Sequence, residues 1–195
     1  MKLKKLPGFS LGLIALAVGN AYAEQFIQHE EHKHAVAIKD GEVKNGEVKG
    51  GEVKYIDNAL VITTGNGSYG VSVAGVGSNL TINNGVIVTT GGLYPSDNSS
   101  LSTALTASAI VSEDGGAVTL RGNNTIVTTG DYSVGLLSQV DGNLNTDTII
   151  RVNPDGSATP SFSDGDNTFI VTAGNHAVGV LACASPGSAR ACVSS

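Results

Sequence analysis

Leu60-Val61-Ile62-Thr63-Thr64-Gly65-Asn66-Gly67-Ser68-Tyr69-Gly70 runs from a β-branched apolar segment into a glycine-rich one. Its second half spells G-x-G-x-x-G, which in a dinucleotide-binding fold lies between a strand and a helix whose N-terminus meets the pyrophosphate. The next residues in this chain are Val71-Ser72-Val73-Ala74-Gly75, a strand-like alternation ending in a turn. Without a helix to receive a phosphate, the nucleotide reading loses its physical basis.

The same stretch has relatives elsewhere in the chain. LVITTG (60–65), VIVTTG (86–91), TIVTTG (125–130) and FIVTAG (169–174) align without gaps, and their final glycines are spaced by 26, 39 and 44 residues. The longer spacings hold polar insertions, LYPSDNSSLSTA (93–104) and NPDGSATPSFSDGD (153–166). Beyond the glycine the copies stay in step: Gly65, Gly130 and Gly174 are each followed five residues later by Gly70, Gly135 and Gly179. Gly67 has no counterpart, which marks G-x-G-x-x-G as a chance match inside a repeat. Gly65, Gly70, Gly91, Gly130, Gly135, Gly174 and Gly179 are read as corner glycines that let the chain turn tightly.

Each copy then supplies a second strand-like run, and the first three copies a third. The second is Val71–Ala74, Ala109–Ser112, Val134–Ser138 or Val178–Ala182; the third is Asn79–Ile82, Ala117–Leu120 or Thr148–Val152. Three strands of about five residues cannot close a sheet by themselves, so their backbone groups must pair with the next copy. The aligned columns Val61/Ile87/Ile126/Ile170 and Thr63/Thr89/Thr128/Thr172 suit such stacking, because identical β-branched side chains form ladders at the rung spacing of about 4.8 Å. The expected fold is all-β: a parallel β-helix over residues 56–182 with three short strands per rung.

The flanks differ. Lys2, Lys4 and Lys5, the apolar run Leu11–Val18 and Ala21-Tyr22-Ala23 have the order of a secretory signal, predicting cleavage between Ala23 and Glu24. The apolar run is far shorter than the roughly 20 residues of a membrane span. Residues 24–55 hold His29-Glu30-Glu31-His32-Lys33-His34 and three pentads beginning at Gly41, Gly46 and Gly51. A period of five fits neither a strand nor a helix, so this segment is read as a polar, solvated lead-in or cap. The histidines lack H-E-x-x-H spacing, and no metal is expected.

A leader joined to TTG-x4-G-V and x-L-T-I rungs resembles the passenger region of bacterial autotransporters, the type V secretion systems. The resemblance spans roughly residues 56–182 and implies a right-handed parallel β-helix displayed at the cell surface, often as an adhesin. The chain departs from that family in ending at Ser195 without the outer-membrane translocator barrel. A fragment, a truncated product or a barrel on a separate polypeptide would each explain the departure, and without a barrel the destination is the periplasm.

Composition narrows the partners. Beyond the three leader lysines, 8 basic residues face 17 acidic ones, which disfavours nucleic acid. Asp155, Asp164 and Asp166 lie in an insertion and Glu113-Asp114 in a turn, so no carboxylate pair recurs at rung spacing as a polysaccharide-acting β-helix enzyme would require. Neither catalytic residues nor a cofactor are expected, and the calcium nonapeptide G-G-x-G-x-D is absent. Cys183 and Cys192 bracket a Pro/Gly/Ser loop in the tail 183–195, and an oxidising destination favours their disulfide, contributing about 2.5–3 kcal/mol in the loop-entropy picture. The expected function is non-catalytic display and adhesion through loops 92–107 and 153–167, toward a host-surface or matrix ligand or another copy of the chain. The alternatives are a polysaccharide-acting enzyme and a non-functional remnant of a longer adhesin. A coil that stops at its fourth copy would also leave an unpaired strand edge, which predicts association end to end.

Overall fold

The computed structural model describes residues 24–44, 47–49, 51–93, 106–146, 148–152, 167–183 and 192–194. The leader with Ala23, most of both insertions (Asp155, Asp164 and Asp166 among them) and residues 184–191 lie outside the described residues.

The described residues are all-β and wind through five rungs. The first is β1 (Glu24–Gln28), β2 (Val36–Lys44) with its antiparallel partner β3 (Glu47–Lys49), and β4 (Val53–Asp57). The second is β5 (Ala59–Thr63), β6 (Val71–Gly75) and β7 (Asn79–Asn83). The third is β8 (Val86–Thr89), β9 (Ser108–Glu113) and β10 (Ala117–Arg121), and the fourth β11 (Asn123–Thr128), β12 (Val134–Gln139) and β13 (Asn143–Asn145). After β14 (Thr148–Val152) come β15 (Asn167–Thr172) and β16 (Val178–Cys183) of the fifth rung, and then β17 (Cys192–Ser194).

Like stacks on like. The sheets run β1-β5-β8-β11-β15-β14, β13-β10-β7-β4 and β17-β16-β12-β9-β6-β2-β3, parallel throughout except at β3 and β17. This is a parallel β-helix. Ile87 pairs with Val61 on one side and Ile126 on the other, and Ile126 with Ile170, so the aligned columns of the sequence are physical ladders.

The core fills the coil. Val61, Ile87, Ile126 and Ile170 from the first sheet meet Ile56, Ile82 and Leu120 from the second and Ile38, Val73, Ile110 and Leu136 from the third, all at most 1 % exposed. Burial of each such side chain is worth about 1.5–3 kcal/mol. Outward residues are also apolar in places. Leu60, Ile62 and Val88 cluster on the other face of the first sheet, and Tyr69, Val111, Val134 and Leu137 on the other face of the third. Tyr69 and Val134 therefore belong to an outer layer, not to the inward column with Val71 and Leu136.

Two expectations about the rungs are corrected. Residues 24–55 are not a solvated lead-in but belong to the first rung, which ends at Asp57: β1 pairs with β5, β2 with β6 and β4 with β7, and Val36 and Ile38 are buried. The pentad repeat divides between elements, with Val43 facing Val48 across the β2–β3 pair and Val53 opening β4. The third strand of the fourth rung is Asn143–Asn145, whose Leu144 pairs with Val118. Thr148–Val152 instead joins the first sheet outside β15, placing a later chain segment between it and β11.

The corner glycines work by a different cause from the one expected. None of Gly65, Gly91, Gly130 and Gly174 has a left-handed backbone. A Cβ added at Gly91 would lie 2.0 Å from the Gly65 carbonyl oxygen, and one at Gly130 or Gly174 would lie 1.8 Å from the carbonyl of the glycine below. These residues are glycine because consecutive rungs touch backbone to backbone there. The left-handed positions are elsewhere, including the stacked column Asn58, Asn84 and Gly122 between the second and first sheets, a role suited to Asn and Gly.

Candidate functional site: the corner between the first and third sheets

The chain passes from the first sheet to the third through a turn that recurs in almost every rung. Ser68, Ser133 and Ala177 each donate a backbone N–H to the carbonyl of the glycine three residues earlier, Gly65, Gly130 and Gly174, at 3.3 Å. The residue two after the glycine is left-handed: φ is 64° at Gly67, 59° at Tyr132 and 55° at His176. His32, at 52°, holds the same place in the first rung. Gly67 thus has structural counterparts that the one-letter pattern concealed, and the G-x-G-x-x-G stretch is a corner leading into strand β6.

Aromatic rings stack along this corner. His34 lies on Tyr69 with centroids 4.6 Å apart and planes within 6°, and Tyr132 lies under His176 at 4.9 Å and 19°. The His29–His34 segment, expected to be a solvated tail, is therefore the first-rung turn. His29 Nδ1 is 3.0 Å from Thr64 Oγ1, and the Tyr69 backbone N–H donates to His34 Nδ1 at 3.2 Å. That acceptor role needs a neutral imidazole with its proton on Nε2. Burial lowers the His34 pKa below its usual 6.5, and the positive charges of His32, Lys39 and Lys33 lower it further. Burial also pushes the Tyr69 hydroxyl up to about 12, with the Glu113 carboxylate adding to the effect.

The residue after each glycine forms a polar ladder. The Asn66 Oδ1 accepts the Gly92 N–H at 3.0 Å, while the Gly67 N–H donates back to the Gly92 carbonyl at 3.0 Å. The Asp131 Oδ1 accepts both the backbone N–H of Asn175, at 2.9 Å, and its side-chain amide, at 3.0 Å.

The ladder is interrupted at the third rung. Gly91 and Gly92 begin the turn there, but the chain departs through Leu93 into the insertion and is again described at Thr106, with no left-handed residue at Leu93. A cleft of about 430 Å³ opens at this place. Asn66 borders it from the second rung, Thr90, Gly92 and Leu93 from the third, and Thr129 through Tyr132 from the fourth. Its volume is in the range of small-molecule sites.

The other residues singled out in the sequence do not converge on this cleft. Gly70 and Gly135 open β6 and β12 facing the core, where a Cβ would come within 2.8 Å of Ile87 and Ile170 methyl carbons respectively. Gly179 is buried in β16, and its carbonyl would be 2.6 Å from a Cβ on Gly135. Glu113 accepts the Gln139 side-chain amide at 2.7 Å, and Asp114 is a left-handed turn residue. Cys183 is disulfide-bonded, and the β16–β17 register pairs it with Cys192, the chain's other cysteine. Among the described residues no three His, Cys, Asp or Glu side chains come together as a metal site would need, and no helix is long and apolar enough to cross a membrane. The chain matches no family model, no curated protein and no solved structure.

Proposed function

We propose that this chain is an exported, passenger-like β-helix that acts by display and contact and carries out no reaction. The observation that carries the reading is where variation sits. The ladders keep their register from rung to rung, while the two long insertions fall between strands, one at the corner after Leu93 and one between β14 and β15. A solenoid that stays constant while its loops lengthen is built to hold those loops toward a partner. Export is supported by the leader pattern of Lys2, Lys4 and Lys5, the apolar run Leu11–Val18 and Ala21-Tyr22-Ala23. The partner is a host-surface or matrix ligand or another copy of the chain, and a translocator barrel would come from another polypeptide or a longer parent. Nucleic acid is disfavoured by the acidic charge balance.

Deleting residues 94–105 and 154–166 together tests the reading, with attachment to host-cell monolayers as the measurement. Loss of attachment with an unchanged β-sheet circular dichroism spectrum is the expected outcome. Undiminished attachment, or sugar-cleaving activity in the intact chain, would contradict it.

A further inference from the structure

We propose that the cleft in the corner ladder is a binding site for one pyranose ring of a neutral glycan, which names the ligand class of the contact function above and rests on that reading. Tyr132 has one ring face covered by His176 of the next rung. The opposite face turns toward the third rung, where the stack of turn residues is broken. Below it, two rung spacings away, the equivalent residue is Gly67, which has no side chain. The cleft of about 430 Å³ at this break is large enough for one saturated ring. The C–H face of a sugar suits the Tyr132 ring and Leu93, which both border the cleft.

The cleft also carries hydrogen-bonding groups that the fold does not use. Thr90 Oγ1, Thr129 Oγ1, Asn66 Nδ2 and Asp131 Oδ2 have no hydrogen-bond partner among the described residues, although the other oxygens of Asn66 and Asp131 are committed to the ladder. The ladder bonds hold the Asn66 and Asp131 side chains in place before any ligand arrives, which reduces the ordering cost of binding. A carboxylate, an amide and two hydroxyls around an aromatic face match vicinal sugar hydroxyls. The border contains Asp131 and no Lys or Arg, so a sugar acid is repelled.

Saturation-transfer difference NMR on the full chain tests the site with methyl β-glucoside, methyl α-mannoside, methyl β-galactoside and N-acetylglucosamine as probes, and glucuronate as the charged comparison. Transfer to the ring C–H protons of at least one neutral sugar is expected. It should fall about tenfold in Tyr132→Gly, which restores the backbone preference seen at Gly67, and fall clearly in Thr129→Val, whose exposed hydroxyl has no structural partner. No transfer to any neutral sugar, stronger transfer to glucuronate, or transfer unchanged in Tyr132→Gly would overturn the site. If sugar transfer fails while loop-dependent cell attachment persists, the sugar site falls and the display reading stands. If sugar transfer is seen but attachment survives loop deletion, the display reading is the one that fails.

Discussion

Gly130 and Gly67 sit two rungs and a few residues apart on the same corner, yet substitution should affect them in opposite ways. At Gly130 a methyl group would lie 1.8 Å from the Gly91 carbonyl oxygen, and the atoms nearest to it are all backbone of Gly91 and Gly92, which cannot swing aside. Gly130→Ala should cost about 3 kcal/mol or more, measured by urea unfolding, at or beyond the upper end of ordinary overpacking. Gly67→Asn should cost under about 1 kcal/mol, because Asn tolerates the left-handed region and Tyr132 and His176 already occupy it. The sequence reveals that both glycines matter in a repeat but not which is irreplaceable; the carbonyl under Gly130 exists only once the rungs have stacked. His34 adds a pH effect. Its folded pKa is lowered, so the unfolded chain binds the proton more readily. Stability from this group is therefore complete above 6.5 and falls as pH drops through the lowered folded value. Thermal melts at pH 7.5 and 5 should differ less in His34→Gln than in the wild type.

At the scale of the element, the threonine column separates two effects that look alike in sequence. Thr63 and Thr89 are buried with their hydroxyls 3.1 Å apart, whereas the buried Thr128 hydroxyl has no partner among the described residues. Thr63→Val leaves the Thr89 hydroxyl unsatisfied and should cost about 1 kcal/mol or more, while Thr128→Val should be neutral or stabilising. Chemical denaturation of the two variants makes the comparison. The strands of the second and third rungs and the first two of the fourth are legible because β-branched columns repeat in register. The first rung is not, because its pentads are shared between a hairpin and β4 and so show no period of two. Asn45-Gly46, a two-residue hairpin signature between matching Glu-Val-Lys runs, is the signal that could have found it. A first rung that closes the core predicts that Ile38→Ala costs about 2–5 kcal/mol, where a solvated lead-in would give almost nothing. Thr148–Val152 departs from its expected sheet for a different reason. Its strong β propensity says that it pairs, but the partner is chosen by tertiary context, and Leu144 meets the core requirement of the second sheet with a single apolar residue.

For the whole molecule, the ends of the stack decide solubility. The edge expected at the last rung is moved outward, because β14 lies on β15 and β17 pairs antiparallel with β16, next to the bonded Cys183. An antiparallel strand ends parallel growth of the third sheet, and the disulfide holds it there. Reduction with dithiothreitol should therefore free β17 and raise the fraction of larger species in sedimentation velocity, whereas an unchanged distribution would deny the strand a capping role. The candidate site belongs to this scale as well. Its residues come from three rungs and include none of the repeat's corner glycines except Gly130, so no local motif could have announced it. The insertion after Leu93 is visible in the sequence, but the cleft that it opens depends on which turns lie above and below.

The central claim is that residues separated by 35, 26, 39 and 44 positions are neighbours in parallel strands, beginning with Phe26 beside Val61. Inter-strand amide-to-Hα nuclear Overhauser effects on the isotope-labelled chain read this directly. Stacked rungs predict cross-peaks linking Phe26 to Val61, Val61 to Ile87, Leu80 to Val118 and Ile126 to Ile170 with the pattern of parallel strands. Close Hα–Hα cross-peaks between strands adjacent in sequence, such as β5 with β6, would show antiparallel hairpins and contradict the account.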